Sequence, residues 1–295
     1  MFRLYGLFGL ILILSAYLSS FFELVPYGPF SVASNNLLLM LGLWLFFDAV
    51  DFKLNKTSLL HKIKSEHKIV MYIILIGVLT GLFTEFFGAF VSNLWWEPFY
   101  SYLSEKPIYL AVLIFFSTAI GISYVMLFPA IYSIYHVFNH FFEKMKSSGR
   151  LIKDEESVFN HLGLAGLLSI IIPLPLIMLM DLAAPVRGLL FVFPLLGLWF
   201  LLESIEHSQH KRSLMKDLLE LREGKLIAVF LTSIFLGILI EKLNLFSTGW
   251  TYKNFPFASF EIFGIPVIIL LGWIPLIIIF MSFYRVFIKE NDHIF

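Results

Sequence analysis

The chain contains no cysteine and few charged residues, which make up only 14% of the sequence. The missing cysteine excludes disulfides, iron–sulfur clusters and thiolate chemistry. The scarcity of charge, together with 59% hydrophobic residues and a mean hydropathy of +0.87, excludes an ordinary soluble domain. Alanine is also sparse, so we expect close helix packing through small residues at only a few places. A polytopic membrane protein is the class that satisfies these limits.

Long apolar runs occupy most of the sequence. Because a helix needs about 20 mostly apolar residues to cross a bilayer, the runs predict an all-α protein with eight transmembrane helices. Their approximate ranges are 4–21, 34–51, 69–91, 108–139, 160–180, 187–205, 226–245 and 262–287. The fifth range contains Pro173 and Pro175, and we expect a kink there because proline removes a backbone hydrogen bond.

The net charge of zero hides an uneven distribution of basic residues. Of the 21 lysines and arginines, 17 fall on one side of the predicted membrane. The other side holds Lys106, Arg187, Lys242 and Lys253. The positive-inside rule places the richer side in the cytoplasm. We therefore predict a multi-pass protein of the cell (inner) membrane with both termini in the cytoplasm, and we expect no nucleic-acid partner.

Parts of the sequence occur twice. Residues 41–44, Leu-Gly-Leu-Trp, return unchanged as residues 196–199, an offset of 155. A second segment, residues 81–85, aligns with residues 237–241 at an offset of 156. Both segments begin with glycine and end with glutamate, so Glu85 aligns with Glu241. The chain is therefore predicted to be an internal duplication.

The layout of the duplication follows from the helix count. Each copy contains four predicted helices, so both copies enter the membrane in the same direction and form a parallel repeat. We predict a first four-helix repeat at 1–145, a second at 156–295 and a cytoplasmic connector at 146–155. The working site of a duplicated membrane protein tends to lie where the copies meet.

Two glutamates lie deep within predicted membrane helices. Counted from the inner ends of their helices, Glu85 and Glu241 lie about 24 and about 22 Å along a hydrocarbon core of about 30 Å. Ionisable groups at such a depth usually face an interior cavity and mark function. Asn244 follows Glu241 by three residues, so it shares the same helical face.

An aromatic-rich outer segment follows each glutamate, with Trp95 and Trp96 in the first copy and Trp250 and Tyr252 in the second. These four residues are candidate substrate-binding residues. An interfacial aromatic belt is the alternative explanation for them, and a structural hydrogen bond between helices is the alternative for the glutamates.

The combination of carboxyl and aromatic groups suits one kind of chemistry. A carboxyl removed from water retains its proton and can act as a general acid, while aromatic faces stabilise a nearby cation. Protonation of an isoprenoid double bond requires both. We predict Glu85 and Glu241 as the catalytic acid and base, and Asn244 as the group that orients water or substrate.

A family resemblance points the same way. The C-terminal run from Glu241 through Trp250-x-Tyr252 and residues 260–266 (Phe-Glu-Ile-Phe-Gly-Ile-Pro) resembles the membrane carotenoid-biosynthesis proteins of the carotenoid hydratase type. More distantly it is similar to the lycopene cyclase domain, whose paired glutamates after the proline are replaced here by residues 267–269, Val-Ile-Ile. The resemblance implies an enzyme, a lyase (hydratase) or an isomerase (cyclase), that acts on an isoprenoid or carotenoid-like lipid. We expect no cofactor.

A second polar cluster lies at the predicted cytoplasmic ends of the second and sixth helices. It consists of paired acidic residues and two histidines: Asp48, Asp51, Glu203, Glu206, His207 and His210. Solvated helix ends that pair with local Lys and Arg are the simplest interpretation, without a metal. The alternatives are a Mg²⁺–diphosphate site, since the first acidic pair resembles the first motif of the UbiA polyprenyl transferase family, and a di-metal oxidase site.

Other function classes remain compatible with the sequence. Parallel repeats with intramembrane carboxylates are also a transporter design, so a small proton-coupled transporter or lipid carrier is the main alternative to an enzyme. A non-catalytic subunit that binds a membrane or cytoplasmic protein partner, through the cytoplasmic loops, is a third.

Overall fold

The structure is a computed structural model. It describes residues 4–22, 24, 29–96, 98–145, 154–180, 182–211, 213–220, 222–247, 249–253, 255 and 257–288. Residues 146–153 of the predicted connector lie outside the described residues.

Helices form nearly all of the described structure, and two of the helical stretches, named π1 and π2, have π-helical hydrogen bonding. In chain order the helices are α1 Leu4–Phe21, α2 Pro29–Asn55, α3 Leu59–Ser65, α4 Lys68–Thr84, π1 Glu85–Val91, α5 Pro98–Ser104, α6 Ile108–Phe115, π2 Phe116–Val125, α7 Leu127–Phe142, α8 Glu155–Ile171, α9 Pro173–Leu179, α10 Ala184–His210, α11 Leu214–Leu219, α12 Glu223–Ser247 and α13 Val267–Phe287.

The all-α class and the membrane character are confirmed. Within the described residues, seven helical stretches are long and apolar enough to cross a membrane. They are Leu4–Phe21, Lys68–Val91, Ile108–Phe142, Glu155–Leu179, Pro185–His210, Glu223–Ser247 and Val267–Phe287. The protein is therefore a multi-pass membrane protein.

The second and the eighth predicted ranges differ from the structure. The second corresponds to α2, which has 27 residues but is not among the seven stretches. α2 carries buried polar side chains, including Asn35 and Asn36. The eighth range was predicted to begin as a helix at residue 262, whereas α13 begins at Val267 and the preceding residues form a hairpin.

The fifth predicted range is interrupted at its prolines, as expected. α8 ends at Ile171 and α9 begins at Pro173. Proline is favoured at the first position of a helix, where its missing N–H needs no partner, so Pro173 ends one helix and begins the next.

The chain forms two compact units, neither of which is continuous in sequence. Unit 1 comprises Met1–Glu85, Trp95–Val137 and Phe235–Lys253. Unit 2 comprises the remainder, Phe86–Leu94, Phe138–Ile234 and Asn254–Phe295. The bounds of these units differ from those of the predicted repeats at 1–145 and 156–295. The units reflect which residues lie close in space, whereas the repeats stay a prediction about duplication of the sequence.

In unit 1, glycines bring helices close together. α1 packs along α2, and a Cβ added at Gly42 would lie 2.8 Å from the carbonyl oxygen of Gly9. α4 packs against π2, where a Cβ at Gly77 would lie 2.4 Å from the Cα of Val125. Small residues allow this backbone contact in membrane helices.

Unit 2 contains a similar helix pair. α8 packs along α10, and a Cβ at Gly197 would lie 2.6 Å from the carbonyl oxygen of Gly166. α13 also packs against α10. Gly197 aligns with Gly42 at the repeat offset of 155, so both aligned glycines lie in close helix–helix contacts.

Short antiparallel strands complete the described architecture. In unit 1, β1 (Trp95–Trp96) pairs with β2 (Thr251–Tyr252). In unit 2, β3 (Glu261–Ile262) pairs with β4 (Ile265–Pro266). Each strand has only two residues, so these pairs fix local geometry and do not form a sheet core.

Candidate functional site

Glu85 is the centre of a cluster of aromatic hydrogen-bond donors in unit 1. Its side chain is buried, with 3% exposure. One carboxylate oxygen accepts a bond from the Tyr124 hydroxyl at 2.7 Å. The other accepts from the Tyr100 hydroxyl and, at 3.4 Å, from the indole N–H of Trp95. The carboxylate is thus held by side chains from π2, α5 and β1.

The close approach of π2 to α4 explains how Tyr124 reaches Glu85. A Cβ at Gly81 would lie 2.8 Å from ring carbons of Tyr124, so glycine leaves the space that the ring occupies. Gly81 lies four residues before Glu85 and therefore on the same helical face. The tyrosine ring crosses the glycine, and its hydroxyl meets the carboxylate one turn further along.

The helix geometry at this site is unusual. Glu85 is the first residue of π1, and Tyr124 lies in π2. π-helical segments are rare and occur frequently at functional sites. The two segments therefore distinguish this part of unit 1 from its regular helices.

Glu241 lies in the second half of α12, also in unit 1, and is 2% exposed. The Tyr252 hydroxyl donates to its carboxylate at 2.6 Å, and the indole N–H of Trp250 donates to the Tyr252 hydroxyl at 2.8 Å. Trp250, Tyr252 and Glu241 thus form a chain of hydrogen bonds that runs from the outer segment to the buried carboxylate.

The strand pair β1–β2 joins the two carboxylates into one site. Trp95 pairs directly with Tyr252, and Trp96 pairs with Thr251. Side chains directly opposite each other in an antiparallel pair lie on the same face, with Cβ atoms about 5 Å apart. Because Trp95 donates to Glu85 and Tyr252 donates to Glu241, one cross-strand pair contacts both glutamates.

The structure brings most of the predicted outer residues together. Glu85, Trp95, Glu241, Trp250 and Tyr252 are linked by the hydrogen bonds and strand pairing described above. The backbone of Trp96 belongs to the strand pair, and its side chain lies outside the described part of the chain.

Asn244, which was predicted to orient water or substrate, forms hydrogen bonds with the backbone of Trp250. Its side-chain oxygen accepts from the backbone N–H of Trp250 at 2.8 Å, and its side-chain nitrogen donates to the Trp250 carbonyl oxygen at 3.1 Å. This reciprocal clamp holds the segment that leads to β2. The arrangement makes Asn244 a positioning residue for Trp250, while its predicted role in orienting water stays a prediction.

Sequence reasoning missed Tyr100 and Tyr124, both of which donate to Glu85. Neither shares a repeated motif with the glutamates, and each is only one of 12 tyrosines in the chain. The available signal was Gly81, because a glycine one turn before a buried carboxyl indicates that another group approaches the helix there.

The inner acidic residues are used in the structure as buried caps. Asp48 is fully buried and accepts bonds from the Ser58 hydroxyl, the Tyr5 hydroxyl and the backbone N–H of Leu60, at 2.8, 2.8 and 2.9 Å. Ser58 is also the N-cap of α3. Asp48 therefore fixes the start of the short helix that follows α2.

Glu203 fixes the start of a short helix, α11, in unit 2. It is fully buried and accepts from the backbone N–H of Met215 at 2.7 Å, the Ser282 hydroxyl at 2.7 Å and the indole of Trp199 at 3.0 Å. Ser213 is the N-cap of α11. The pairs Asp48–Leu60 and Glu203–Met215 both span 12 residues, and they align at the offset of 155.

Asp51, Glu206 and His207 are also buried against protein groups, so these residues are not solvated as expected. Asp51 accepts from the Asn55 amide at 2.7 Å, and Glu206 accepts from Arg285 Nε at 2.8 Å. The His207 ring stacks on Phe159 with 3.8 Å between the ring centroids. Packing within each unit removes these side chains from water.

Within the described residues, no group of three or more His, Asp and Glu side chains is arranged to hold a metal ion. His210 lies near the end of α10 and is half-buried. The oxygens of Asp48 and Glu203 that a Mg²⁺–diphosphate would need are already bound by protein donors.

Comparison with known proteins adds no relative. No protein-family profile, curated protein or solved structure matches the chain.

Proposed function

We propose that this protein is a membrane enzyme that acts on an isoprenoid or other long-chain lipid by acid-initiated carbocation chemistry. The chemistry takes place at the outer cluster, which consists of Glu85, Trp95, Glu241, Trp250 and Tyr252. The observation that carries the proposal is the pair of buried carboxyls, Glu85 and Glu241, contacted by one cross-strand aromatic pair. A buried carboxyl supplies the proton, and aromatic faces stabilise the cation that forms.

The proposed reaction is hydration of a trisubstituted double bond. One carboxyl transfers its proton to the less substituted carbon, the π electron pair forms the new C–H bond, and a tertiary cation remains on the other carbon. Water adds to that cation, and the second carboxylate accepts the proton that the water loses. Proton exchange between the two carboxyls restores the starting state, so the net change is alkene plus water to tertiary alcohol.

The donors around the two glutamates suggest separate roles. Tyr100, Tyr124 and Trp95 donate hydrogen bonds to Glu85. These bonds offset part of the cost of ionising a carboxyl in its buried position, and we assign Glu85 the role of accepting the proton. Glu241 is then the acid. Asn244 and Trp250 hold the aromatic wall beside it in place.

The architecture that goes with this function is a parallel duplication with eight membrane helices and both termini in the cytoplasm. Support comes from the aligned glycine contacts and the aligned capping carboxylates, Asp48 and Glu203. The strand pair is further support. At the offset of 156, Trp95 aligns with Thr251 and Trp96 with Tyr252. In the strand pair, Trp95 lies opposite Tyr252 and Trp96 lies opposite Thr251. This exchange is expected for two copies related by a two-fold axis.

A proton-coupled carrier is the second candidate. The observation that favours it is the location of Glu85 and Tyr124 on the π-helical segments, because such segments can shift hydrogen-bond register as a gate must. For a carrier, Glu85→Gln and Glu241→Gln abolish proton-driven uptake into proteoliposomes, and no lipid changes mass.

Glu241→Gln tests the enzyme proposal. Glutamine keeps the shape and removes the acidic proton, so we expect lipid turnover in the native host to fall about 10²- to 10⁴-fold, the usual contribution of a general acid. The measurement is mass spectrometry of lipids from cells that express each variant, and of lipid co-purified with the protein. Glu105→Gln, on an exposed turn, is the matched control and should retain full turnover. Unchanged turnover in Glu241→Gln, with the variant folded, would sink the proposal.

A further inference from the structure

A tight, exposed β-hairpin in unit 2 precedes the last membrane helix. β3 and β4 pair antiparallel, with Ile262 opposite Ile265, and the N–H of Val267 donates to the carbonyl oxygen of Phe260 at 2.9 Å. The two-residue turn consists of Phe263 and Gly264. This hairpin contains the Phe-Glu-Ile-Phe-Gly-Ile-Pro motif, to which the proposed chemistry assigns no role.

The turn places a bulky residue where the backbone disfavours it. Phe263 and Gly264 have φ values of 56° and 74°, and two consecutive positive φ values are typical of a type I′ turn. Asn-Gly or Asp-Gly is preferred there, and a large aromatic residue in the left-handed region is a genuine outlier. Residues with a strained backbone cluster at functional sites.

The hairpin exposes four of its apolar side chains, while Ile265 is buried. Phe257, Phe260, Ile262 and Phe263 are exposed by 76, 66, 44 and 67%. Glu261 is the one charged residue in the segment 257–266. Exposure of this many aromatic side chains to water would be unfavourable, so such a patch marks a site of contact with lipid or protein.

The position of the hairpin indicates what covers these side chains. β4 continues directly into α13, one of the membrane-crossing stretches. At about 3.3 Å per strand residue, Phe263 lies roughly 10–14 Å along the chain from the first residue of α13. The interfacial layer on each side of the hydrocarbon core is about 5–8 Å thick, so the side chain of Phe263 is within reach of it.

The size of the patch favours lipid over a protein partner. An aromatic side chain offers about 150–250 Å², so three partly exposed phenylalanines and an isoleucine present roughly 500 Å². A stable protein interface buries about 800 Å² on each partner. Insertion into an interface between water and lipid has no such minimum, because apolar side chains partition there individually.

We propose that the hairpin of residues 257–266 is a membrane anchor, whose exposed phenylalanines insert into the lipid interface where α13 begins. The strained turn projects Phe263 at the tip. The anchor holds the start of α13 at a fixed depth and does not depend on the chemistry proposed for the outer cluster.

The absence of native cysteine permits a direct test. The Phe263→Cys variant is labelled with an environment-sensitive fluorophore at its single cysteine. The labelled protein is reconstituted in nanodiscs of phosphatidylcholine that carries a nitroxide at the fifth carbon of its acyl chain. Leu14→Cys, on the exposed side of α1, is the lipid-facing reference, and Glu66→Cys, exposed before α4, is the water-facing one. We expect lipid nitroxide to quench the label at 263 at least half as strongly as the label at 14, and iodide to quench it weakly.

Two results would overturn the proposal. Quenching by iodide to the level of Glu66→Cys, without quenching by lipid, places the hairpin in water. Protection from both quenchers shows that protein covers it.

A second variant separates the anchor from the fold. Asparagine suits the turn geometry, so Phe263→Asn preserves the hairpin and removes the apolar tip. With the label at Phe260→Cys in this background, we expect lipid quenching to fall at least twofold relative to Phe260→Cys alone, with unchanged circular dichroism. Equal quenching in the two backgrounds contradicts an anchoring role for Phe263.

Discussion

At the scale of single residues, three of the buried carboxylates in this protein are satisfied by neutral donors. Between them, Asp48 and Glu203 accept hydrogen bonds from hydroxyl, indole and backbone N–H groups. Glu85 accepts hydrogen bonds from tyrosine hydroxyls and an indole. An unsatisfied carboxylate would cost several kcal/mol in such surroundings. The same residue type thus fixes a short helix in one place and lines the candidate site in another, and its partners decide which.

The aligned tryptophans Trp44 and Trp199 give a matched test of one such bond. The indole of Trp199 donates to Glu203, whereas the indole nitrogen of Trp44 has no hydrogen-bond partner in the described part of the chain. Asp48, at the position equivalent to Glu203, is one methylene shorter. A hydrogen bond to a charged group contributes about 1.5–3 kcal/mol.

We therefore expect Trp199→Phe to lower the free energy of unfolding by about 1–2 kcal/mol more than Trp44→Phe. Both changes remove the same atoms, so the difference isolates the N–H group. Thermal unfolding in detergent measures it, and equal losses in the two variants would contradict the role given to Trp199.

At the scale of elements, glycine contacts hold the helix pairs. α1 with α2 and α8 with α10 approach at Gly9–Gly42 and Gly166–Gly197, where no side chain would fit. The π-helical segments are a second feature at this scale, since π2 packs on α4 and carries Tyr124 to Glu85.

Gly42→Ala is expected to separate α1 from α2. The new methyl group would lie 2.8 Å from the Gly9 carbonyl oxygen and from the Ile13 backbone nitrogen, so the helices must move apart, at a cost of about 1–3 kcal/mol for overpacking. Gly272→Ala in α13 is the control, because an added Cβ there meets no described atom within 4 Å. Thermal unfolding in detergent should show a lower midpoint for Gly42→Ala alone, and a loss of similar size in Gly272→Ala would refute the packing argument.

At the scale of the whole molecule, the number of membrane crossings decides the orientation of the termini. The described residues contain seven apolar stretches, and α2 adds a long helix that is not among them. If α2 also crosses, the eight crossings put both termini on one side. Seven crossings put them on opposite sides.

We expect both termini to be cytoplasmic, because 17 of 21 basic residues then lie on the cytoplasmic side. Fusions of green fluorescent protein should fluoresce, and fusions of alkaline phosphatase should be inactive, at either end. An insertion of the phosphatase at Lys253, on the predicted outer side, is the control and should be active. Phosphatase activity at one terminus would contradict the eight-crossing arrangement.

The candidate site was predictable in part. Depth and repetition identified Glu85 and Glu241, and proximity to them identified Trp95, Trp250 and Tyr252. Tyr100 and Tyr124 were not identified. Gly81 signals that a group approaches the helix near Glu85, but the sequence does not say which residue it is, because the packing of other helices against this one decides that.

The inner cluster shows the opposite outcome. Its residues suggested solvated helix ends paired with Lys and Arg, or a metal site. The structure has buried caps in place of solvated ends, and the basic partner of Glu206 is Arg285 of α13. A charged residue looks the same in sequence whether it faces water or a backbone N–H, so its environment depends on what packs over it.

By itself, the sequence determined the helical, multi-pass membrane character, because apolar runs of sufficient length have few alternatives to a membrane helix. It also determined the positions of the deep glutamates. Tertiary structure alone decided which donors surround each carboxylate, that β1 pairs with β2, and that residues 261–266 form a hairpin before α13. The contact of Tyr124 with Glu85 and the β1–β2 pair join segments far apart in the chain, and local composition and periodicity carry no record of such contacts. The hairpin is local, but its Phe-Gly turn lacks the Asn-Gly or Asp-Gly signal that usually predicts one.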